Sequence, residues 1–209
     1  KMSKLTVMNH PLISHKLAMI RNKDTKSTEF RRLVSEIAGL MTFEMARDLK
    51  TKEVLVETPI TTAHCNVLDK DIILVPILRA GLGMVDGISN LIPSAKIGHI
   101  GLYRDEQTHE PCEYYAKFPE NLASSTVIVL DPMLATGGSL IAAVDMIKKR
   151  GATDIRYIGL VGAPEGVTRM QEAHPDVDLY LAALDEKLND DCYIVPGLGD
   201  CGDRLFGTK

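Results

Sequence analysis

The sequence predicts an α/β fold: an open, mostly parallel sheet with flanking helices on both faces. Three observations predict it. Several short segments are apolar at nearly every position, as expected of strands buried on both faces. Most of these segments lead through a turn into a stretch with helical spacing. The chain has 209 residues, 45% of them hydrophobic, which is enough to cover such a sheet within one domain spanning 1–209.

Taken in order, residues 28–49 form the first long element. Phe30, Leu33, Val34, Ile37, Met41 and Leu49 fall near helical spacing with charges between them, so an amphipathic helix is expected. Ser27 or Thr28 is the expected cap, because a hydroxyl can accept from the free N–H groups of a first turn. DIILVPIL (71–78) reads as a buried strand, followed by the RAGLG turn and an apolar helix through Leu91. AKIGHIGLY (95–103) is a second strand, and STVIVLD (125–131) a third, with a helix from about Gly138 to Lys149. IRYIGLVGA (155–163) is a fourth, and Pro164 suits the first turn of the helix after it. VDLYLAAL (177–184) is a fifth. Two segments break the rhythm. RDEQTHEPCEYYAKFP (104–119) is polar with turn residues at its centre, and reads as a β-hairpin arm projecting from the sheet. The tail YIVPGLGDCGDRLFGTK (193–209) is rich in glycine and shows no helical period. Its Tyr193, Ile194, Val195, Leu198, Leu205 and Phe206 argue that it is ordered.

Composition excludes several classes. The net charge of −4 gives no overall basic character, so nucleic acid is not the expected partner, although a local pocket for a small anion is compatible. No apolar run approaches the ~20 residues that span a bilayer, and no membrane association is expected. The opening KMSKLTVMNH lacks the apolar core of a secretory signal, and Met2 reads as the natural start. Cys65, Cys112, Cys192 and Cys201 form no CxxC pair, so they read as free thiols of a reducing, cytoplasmic compartment. None of the six histidines has ligand-like spacing; His10 and His174, each beside a proline, read as surface or structural.

The segment VIVLDPMLATGGSL (127–140) carries the chemistry. It places an acid, Asp131, at the end of a strand and a Thr-Gly-Gly-Ser turn at the start of a helix. Open parallel sheets bind ligands at the carboxyl ends of their strands. A glycine-rich turn entering a helix offers backbone N–H groups to a phosphate. A carboxylate would repel that phosphate, so Asp131 must face another part of the ligand, and ribose hydroxyls are good donors to it. The segment thus suits a sugar 5-phosphate. It suits an ordinary strand-to-helix turn as well, where Gly, Thr and Ser are common. It is neither a Walker A loop, having no lysine in the turn, nor a G-x-G-x-x-G fingerprint.

The same segment resembles the phosphoribosyl pyrophosphate (PRPP) loop of the type I phosphoribosyltransferases. Most of that family has two adjacent acids, whereas here Pro132 follows Asp131, as in the branch that uses uracil. PILRAGLGMVDG, GLYRD and the tail resemble other signatures of that branch, and the likeness runs from HPLI (10–13) to the C-terminus. The resemblance implies a type I phosphoribosyltransferase fold with a C-terminal base-binding hood at about 185–209. It implies transfer of the phosphoribosyl group of PRPP to uracil, giving UMP and diphosphate, with Mg²⁺ held mainly through PRPP.

Carried over by position, Arg79 and Arg104 match arginines that bind the diphosphate. Asp131, Pro132, Met133, Leu134, Ala135, Thr136, Gly137, Gly138 and Ser139 match the ribose 5-phosphate loop. Ile194, Gly199, Asp200 and Cys201 match uracil-binding positions, with Asp200 also reaching PRPP and standing as a catalytic candidate beside Arg79 and Arg104. Cys201 departs from the family's usual alanine, and reads as a small filler residue. Backbone groups of a glycine-rich segment can meet uracil edge-on, and reject cytosine by placing a donor against its amino group. The resemblance further implies a homodimer or larger homo-oligomer, and some members are activated by GTP. Two rivals remain. A regulatory RNA-binding relative would need a basic face, for which Lys148, Lys149 and Arg150 form the densest cluster. An enzyme for a different base would share the phosphate loop but not this tail.

Overall fold

The structure is a computed structural model that describes residues 3–104 and 111–208. In chain order the elements are β1 (Leu5–Val7), α1 (Pro11–Arg21), α2 (Ser27–Met45), β2 (Thr51–Glu57), β3 (Thr62–Leu68), β4 (Ile72–Leu78), α3 (Leu82–Ser89), β5 (Lys96–Ile97) and β6 (His99–Arg104). After these come β7 (Pro111–Lys117), β8 (Thr126–Leu130), β9 (Met133–Leu134), α4 (Gly138–Lys149), β10 (Asp154–Gly162), α5 (Pro164–Ala173), β11 (Asp178–Leu184), β12 (Lys187–Leu188), β13 (Ile194–Val195) and α6 (Cys201–Phe206).

The main sheet runs β1-β11-β10-β8-β4-β6-β7, with β5 paired to β4 and β9 to β10. Every pairing in it is parallel except β6 with β7. The side-chain period of two divides the core. Ile72 and Leu74 of β4, with Ile128 and Leu130 of β8, face α1, α2, α3 and α6. Ile73, Val75 and Ile77, with Val127 and Val129, face α4 and α5. Both faces are buried, which is why these strands read as unbroken apolar runs.

The five strands expected from the sequence are present, as are the helices that follow β4, β8 and β10. The segment expected as one strand over 95–103 is broken at Gly98, where a Cβ would stand 2.9 Å from the Phe118 ring. Neither Ser27 nor Thr28 caps α2; Lys26 is the N-cap and makes no side-chain cap bond. That helix ends at Met45 and a 3-10 turn, Ala46–Asp48, replaces its expected last turn. In the arm, β7 returns antiparallel to β6 as the edge of the sheet, while residues 105–110 lie outside the described residues. The tail, which shows no helical period in the sequence, contains α6, begun by the Asp200 carboxylate accepting from the Asp203 N–H at 2.9 Å. Its six residues are too few to show a period. The antiparallel hairpin β2–β3 was not foreseen. Its residues are mostly exposed, so no core-facing alternation marks them. His10 caps α1 by accepting from the Leu12 N–H. His174 is buried beside Lys148, a structural role. No helix among the described residues is long and apolar enough to cross a membrane.

After β4 the chain builds β6 on one side of it, then returns to build β8 on the other. The connections therefore diverge between β4 and β8, and the carboxyl ends of these two strands flank a crevice suited to a ligand.

Candidate active site

Arg79 follows β4 and Asp131 follows β8, so the switch point brings a cation and an acid to the same edge. The turn after β4 presses against β8: a Cβ on Gly81 would fall 2.4 Å from the Leu130 carbonyl. Arg79 is exposed, with Nη2 3.3 Å from Asp203 Oδ1 and its guanidinium 5.6 Å from the Phe206 ring centre. The Leu78–Arg79 peptide is cis. Arg104 closes β6, and its side chain lies outside the described residues.

Asp131 keeps a partly open face to the crevice but is otherwise enclosed by protein. Burial raises its pKa to about 7, against the smaller opposing effect of the Met133 N–H, which donates to Oδ1 at 3.4 Å. An enclosed carboxyl with one internal donor is ready to accept further donors from a ligand. The loop beyond it is tied to β10 and α5. The Pro132 carbonyl accepts from the Leu160 and Val161 N–H groups, and the Leu134 carbonyl from Ala163 N–H. Pro132 and Leu134 are buried and shape the loop from beneath. Arg169 donates to the Thr136 carbonyl at 2.8 Å.

Gly137 turns the chain into α4 with φ at +82°, a conformation that favours glycine, while the same residue presses close to Gly166. Gly138 is different. A Cβ there would have only the Thr136 hydroxyl within 4 Å, at 3.8 Å, so nothing in the protein demands glycine for space. The twelve-residue α4 has no side-chain cap on its N-terminus. Thr136 and Ser139 stand half-buried beside the first-turn N–H groups, and the Thr136 hydroxyl accepts a long 3.5 Å bond from the Gly138 N–H, an arrangement suited to a phosphate.

The C-terminal segment closes the crevice from the other side. Arg21 grips the Asp185 carboxylate through both terminal nitrogens, at 2.8 and 2.6 Å. Arg21 donates to the Gly197 carbonyl at 2.7 Å, and Asp185 accepts from the Gly197 N–H at 2.8 Å. Arg204 stacks 4.4 Å from the Phe30 ring centre and donates to the carbonyls of Ile20, Leu198 and Asn22. These clamps hold a cavity of about 250 Å³, with Asp131, Met133 and Ala135 on one wall and Ile194, Gly199, Asp200 and Cys201 on the other. Gly199 has φ at +80°, and a Cβ there would approach only Arg204, at 4.0 Å. Cys201 is 2% exposed, and burial pushes its thiol pKa far up, so it stays protonated and acts as a filler.

The structure thus brings the acid of the loop and all four tail residues around one cavity. Thr136, Gly137, Gly138 and Ser139 lie next to it, at the start of α4. Ala80, Cys192, Tyr193 and Gly202 also line the cavity and were not singled out as site residues from the sequence. Ala80 lies within PILRAGLGMVDG, and Tyr193 and Gly202 within the tail motif, but neither motif by itself says which of its residues face the cavity; Cys192 lies outside both.

Comparison with known proteins agrees with this geometry. The family model for uracil phosphoribosyltransferase matches residues 7–208. The uracil phosphoribosyltransferase of Acholeplasma laidlawii is 62% identical over 208 residues, covering 100% of both chains. A solved protein of Aquifex aeolicus is 39% identical, with a TM-score of 0.93 over 98% of this chain and 99% of that one. A hypoxanthine-guanine phosphoribosyltransferase of Bacillus anthracis is 15% identical with a TM-score of 0.51, covering 77% of this chain and 79% of its own, a likeness of fold alone. With the site assembled at the switch point and the match running through both the loop and the tail, the chain belongs to the uracil phosphoribosyltransferase family.

Proposed function

We propose that this crevice transfers the 5-phosphoribosyl group of PRPP to N1 of uracil, giving UMP and diphosphate, a pyrimidine-salvage pentosyl transfer. The observation that carries the reading is one cavity walled by Asp131 and by Ile194, Gly199, Asp200, Cys201 and Gly202, with the glycine turn into α4 following Ala135 of its lining. The N–H groups of residues 137–139, with the Thr136 and Ser139 hydroxyls, hold the 5-phosphate. Asp131 accepts from the ribose hydroxyls. The C-terminal segment meets uracil through backbone groups around Ile194, Gly199 and Cys201.

In the reaction the C1–O bond to diphosphate loosens, positive charge grows on the ribosyl centre, and uracil N1 attacks from the opposite face. Arg79 offsets charge on the departing diphosphate, and Arg104 shares that role. To reach it, Arg79 leaves Asp203. Asp200 accepts the N1 proton, and Asp200→Asn retaining normal turnover would exclude that step. Among the described residues no group of three or more His, Cys, Asp or Glu can hold a metal, and only Asp131 and Asp200 bring carboxylates to the cavity. Such a donor set fits Mg²⁺ carried in on PRPP oxygens, completed by waters and one or two carboxylates. Bound there, Mg²⁺ supplies positive charge against the leaving diphosphate.

The experiment is to incubate the purified protein with PRPP, Mg²⁺ and each nucleobase separately, and to measure nucleotide formed. UMP from uracil alone is expected. Nucleotide from another base would overturn the base assignment. No nucleotide from any base, with PRPP still bound, would favour the regulatory reading and an RNA-binding assay.

A homo-oligomer is also inferred. Leu12, Phe43 and Leu91 are exposed around a groove of about 480 Å³ between α1, α2 and α3, and Ile60 at the tip of β2–β3 is 91% exposed. The apolar side chains exposed around the groove suit an interaction face between copies of the chain.

A further inference from the structure

Tyr157 lies in the middle of β10, paired with Val129 of β8 and Leu179 of β11. Its ring is fully buried on the face covered by α4 and α5. A phenylalanine would fill that space with no polar atom to satisfy, so a tyrosine there needs a partner for its hydroxyl. The partner is the main chain of Asp131: the phenol donates to the Asp131 carbonyl at 2.7 Å. The reach depends on Gly159, two residues along and on the same side of the strand. A Cβ on Gly159 would stand 2.0 Å from the phenol oxygen and 3.0 Å from the Asp131 carbonyl. The ring occupies the space that a side chain at 159 would need.

This contact sits where the sheet lets go of the loop. Pairing of β8 with β10 ends at Leu130 opposite Ile158, and pairing of β9 with β10 begins at Met133 opposite Val161. Between those points Asp131 N–H reaches the Ile158 carbonyl at a long 3.4 Å, and Pro132 is held by Leu160 and Val161. At this break the Asp131 carbonyl takes its hydrogen bond from a side chain instead of the ladder.

We propose that Tyr157 is a positioning residue for this enzyme: seated over Gly159, its hydroxyl fixes the Asp131 peptide, and so the direction in which the Asp131 carboxylate meets the ribose. The proposal rests on the reading of Asp131 as the ribose-binding acid. The phenol touches neither substrate, and acts through Asp131 alone. Burial holds its pKa well above the usual tyrosine value, so it remains a donor wherever the enzyme is folded.

The test is a double-mutant cycle on the full chain with Tyr157→Phe, Asp131→Asn and the pair together. Ile155→Val, a lesion on the same buried face of β10, serves as the packing control. KM for PRPP, KM for uracil, kcat and Tm are measured for each. Tyr157→Phe keeps the ring and loses one neutral hydrogen bond, so KM for PRPP should rise about three- to tenfold, with KM for uracil unchanged. The double variant should be no worse for PRPP than Asp131→Asn alone, because the hydroxyl has no other route to the substrate. Ile155→Val should lower Tm and move neither KM. Three outcomes overturn the proposal while leaving the ribose reading intact: an unchanged KM for PRPP in Tyr157→Phe, single effects that multiply in the pair, or a KM rise that Ile155→Val reproduces. An Asp131→Asn variant with normal KM for PRPP would instead overturn the reading of Asp131, and this proposal with it.

Discussion

At Asp131 the folded chain holds its proton more tightly than the unfolded chain does, because burial raises the pKa from an ordinary carboxyl value to about 7. In that window the folded state binds more protons than the unfolded state, so the stability of the substrate-free protein falls as pH rises from about 4 to about 7. Asp131→Asn removes the titration. Melting curves should coincide for the two proteins near pH 4, and the variant should melt higher above pH 7. Its KM for PRPP should rise roughly tenfold or more, since a hydrogen bond to a charged group is worth about 1.5–3 kcal/mol. A variant that melts no higher at pH 8 would refute the buried-charge account. Arg79 is exposed, and its 3.3 Å contact with Asp203 is of the surface kind that contributes little to stability. Arg79→Ala should leave Tm nearly unchanged while kcat/KM falls about 100- to 1,000-fold, the range for losing one charge-stabilising donor. Equal loss of Tm and activity would mark Arg79 as structural.

The start of α4 separates folding from function within two neighbouring glycines. Gly137 holds a positive φ, so Gly137→Ala should cost about 1 kcal/mol or more in urea unfolding. Gly138→Ala adds a methyl where the protein leaves room and replaces a poor helix former, so stability should hold or rise by up to about 1 kcal/mol. On the proposed reading the same methyl intrudes on the 5-phosphate, and KM for PRPP should climb. Gly138→Ala with normal PRPP kinetics would remove the phosphate from that cradle. The C-terminal hood depends on Arg204, which serves three carbonyls and the Phe30 ring. Arg204→Ala should lower stability by about 2–3 kcal/mol and, if the C-terminal wall meets the base as proposed, raise KM for uracil more than KM for PRPP. A uniform effect on both substrates would argue against a separate base wall.

For the molecule as a whole, the apolar groove between α1, α2 and α3 and the exposed hairpin β2–β3 stand outside the crevice. Phe43 is 67% exposed on the groove. A two-stranded hairpin is marginal on its own in water, and Leu55 and Ile60 on it are exposed. If copies of the chain join through this groove as proposed, Phe43→Glu should shift light-scattering mass from an oligomer to a monomer at micromolar concentration, while the monomer remains folded by circular dichroism. Unchanged mass would remove this face from the assembly.

Local sequence determined a large part of this protein. Buried strands must be apolar throughout, so β4, β8, β10 and β11 were legible, and the helix start at Pro164 followed from its fixed φ. The acid at the end of β8 and the glycine turn into α4 were legible because they are contiguous in the sequence. The hairpin β2–β3 was hidden, since strands exposed on most positions carry no burial pattern. Helix α6 was hidden because six residues are too few to show a period. Only the tertiary structure decided which residues meet. The order of β4, β8 and β6 sets Arg79 and Asp131 on one edge, and Arg21, Asp185 and Arg204 lay the tail across it. The pairing of Tyr157 with Asp131 joins residues 26 positions apart. Such contacts depend on strand order and register, which arise from the packing of the whole sheet and leave no mark on either segment alone.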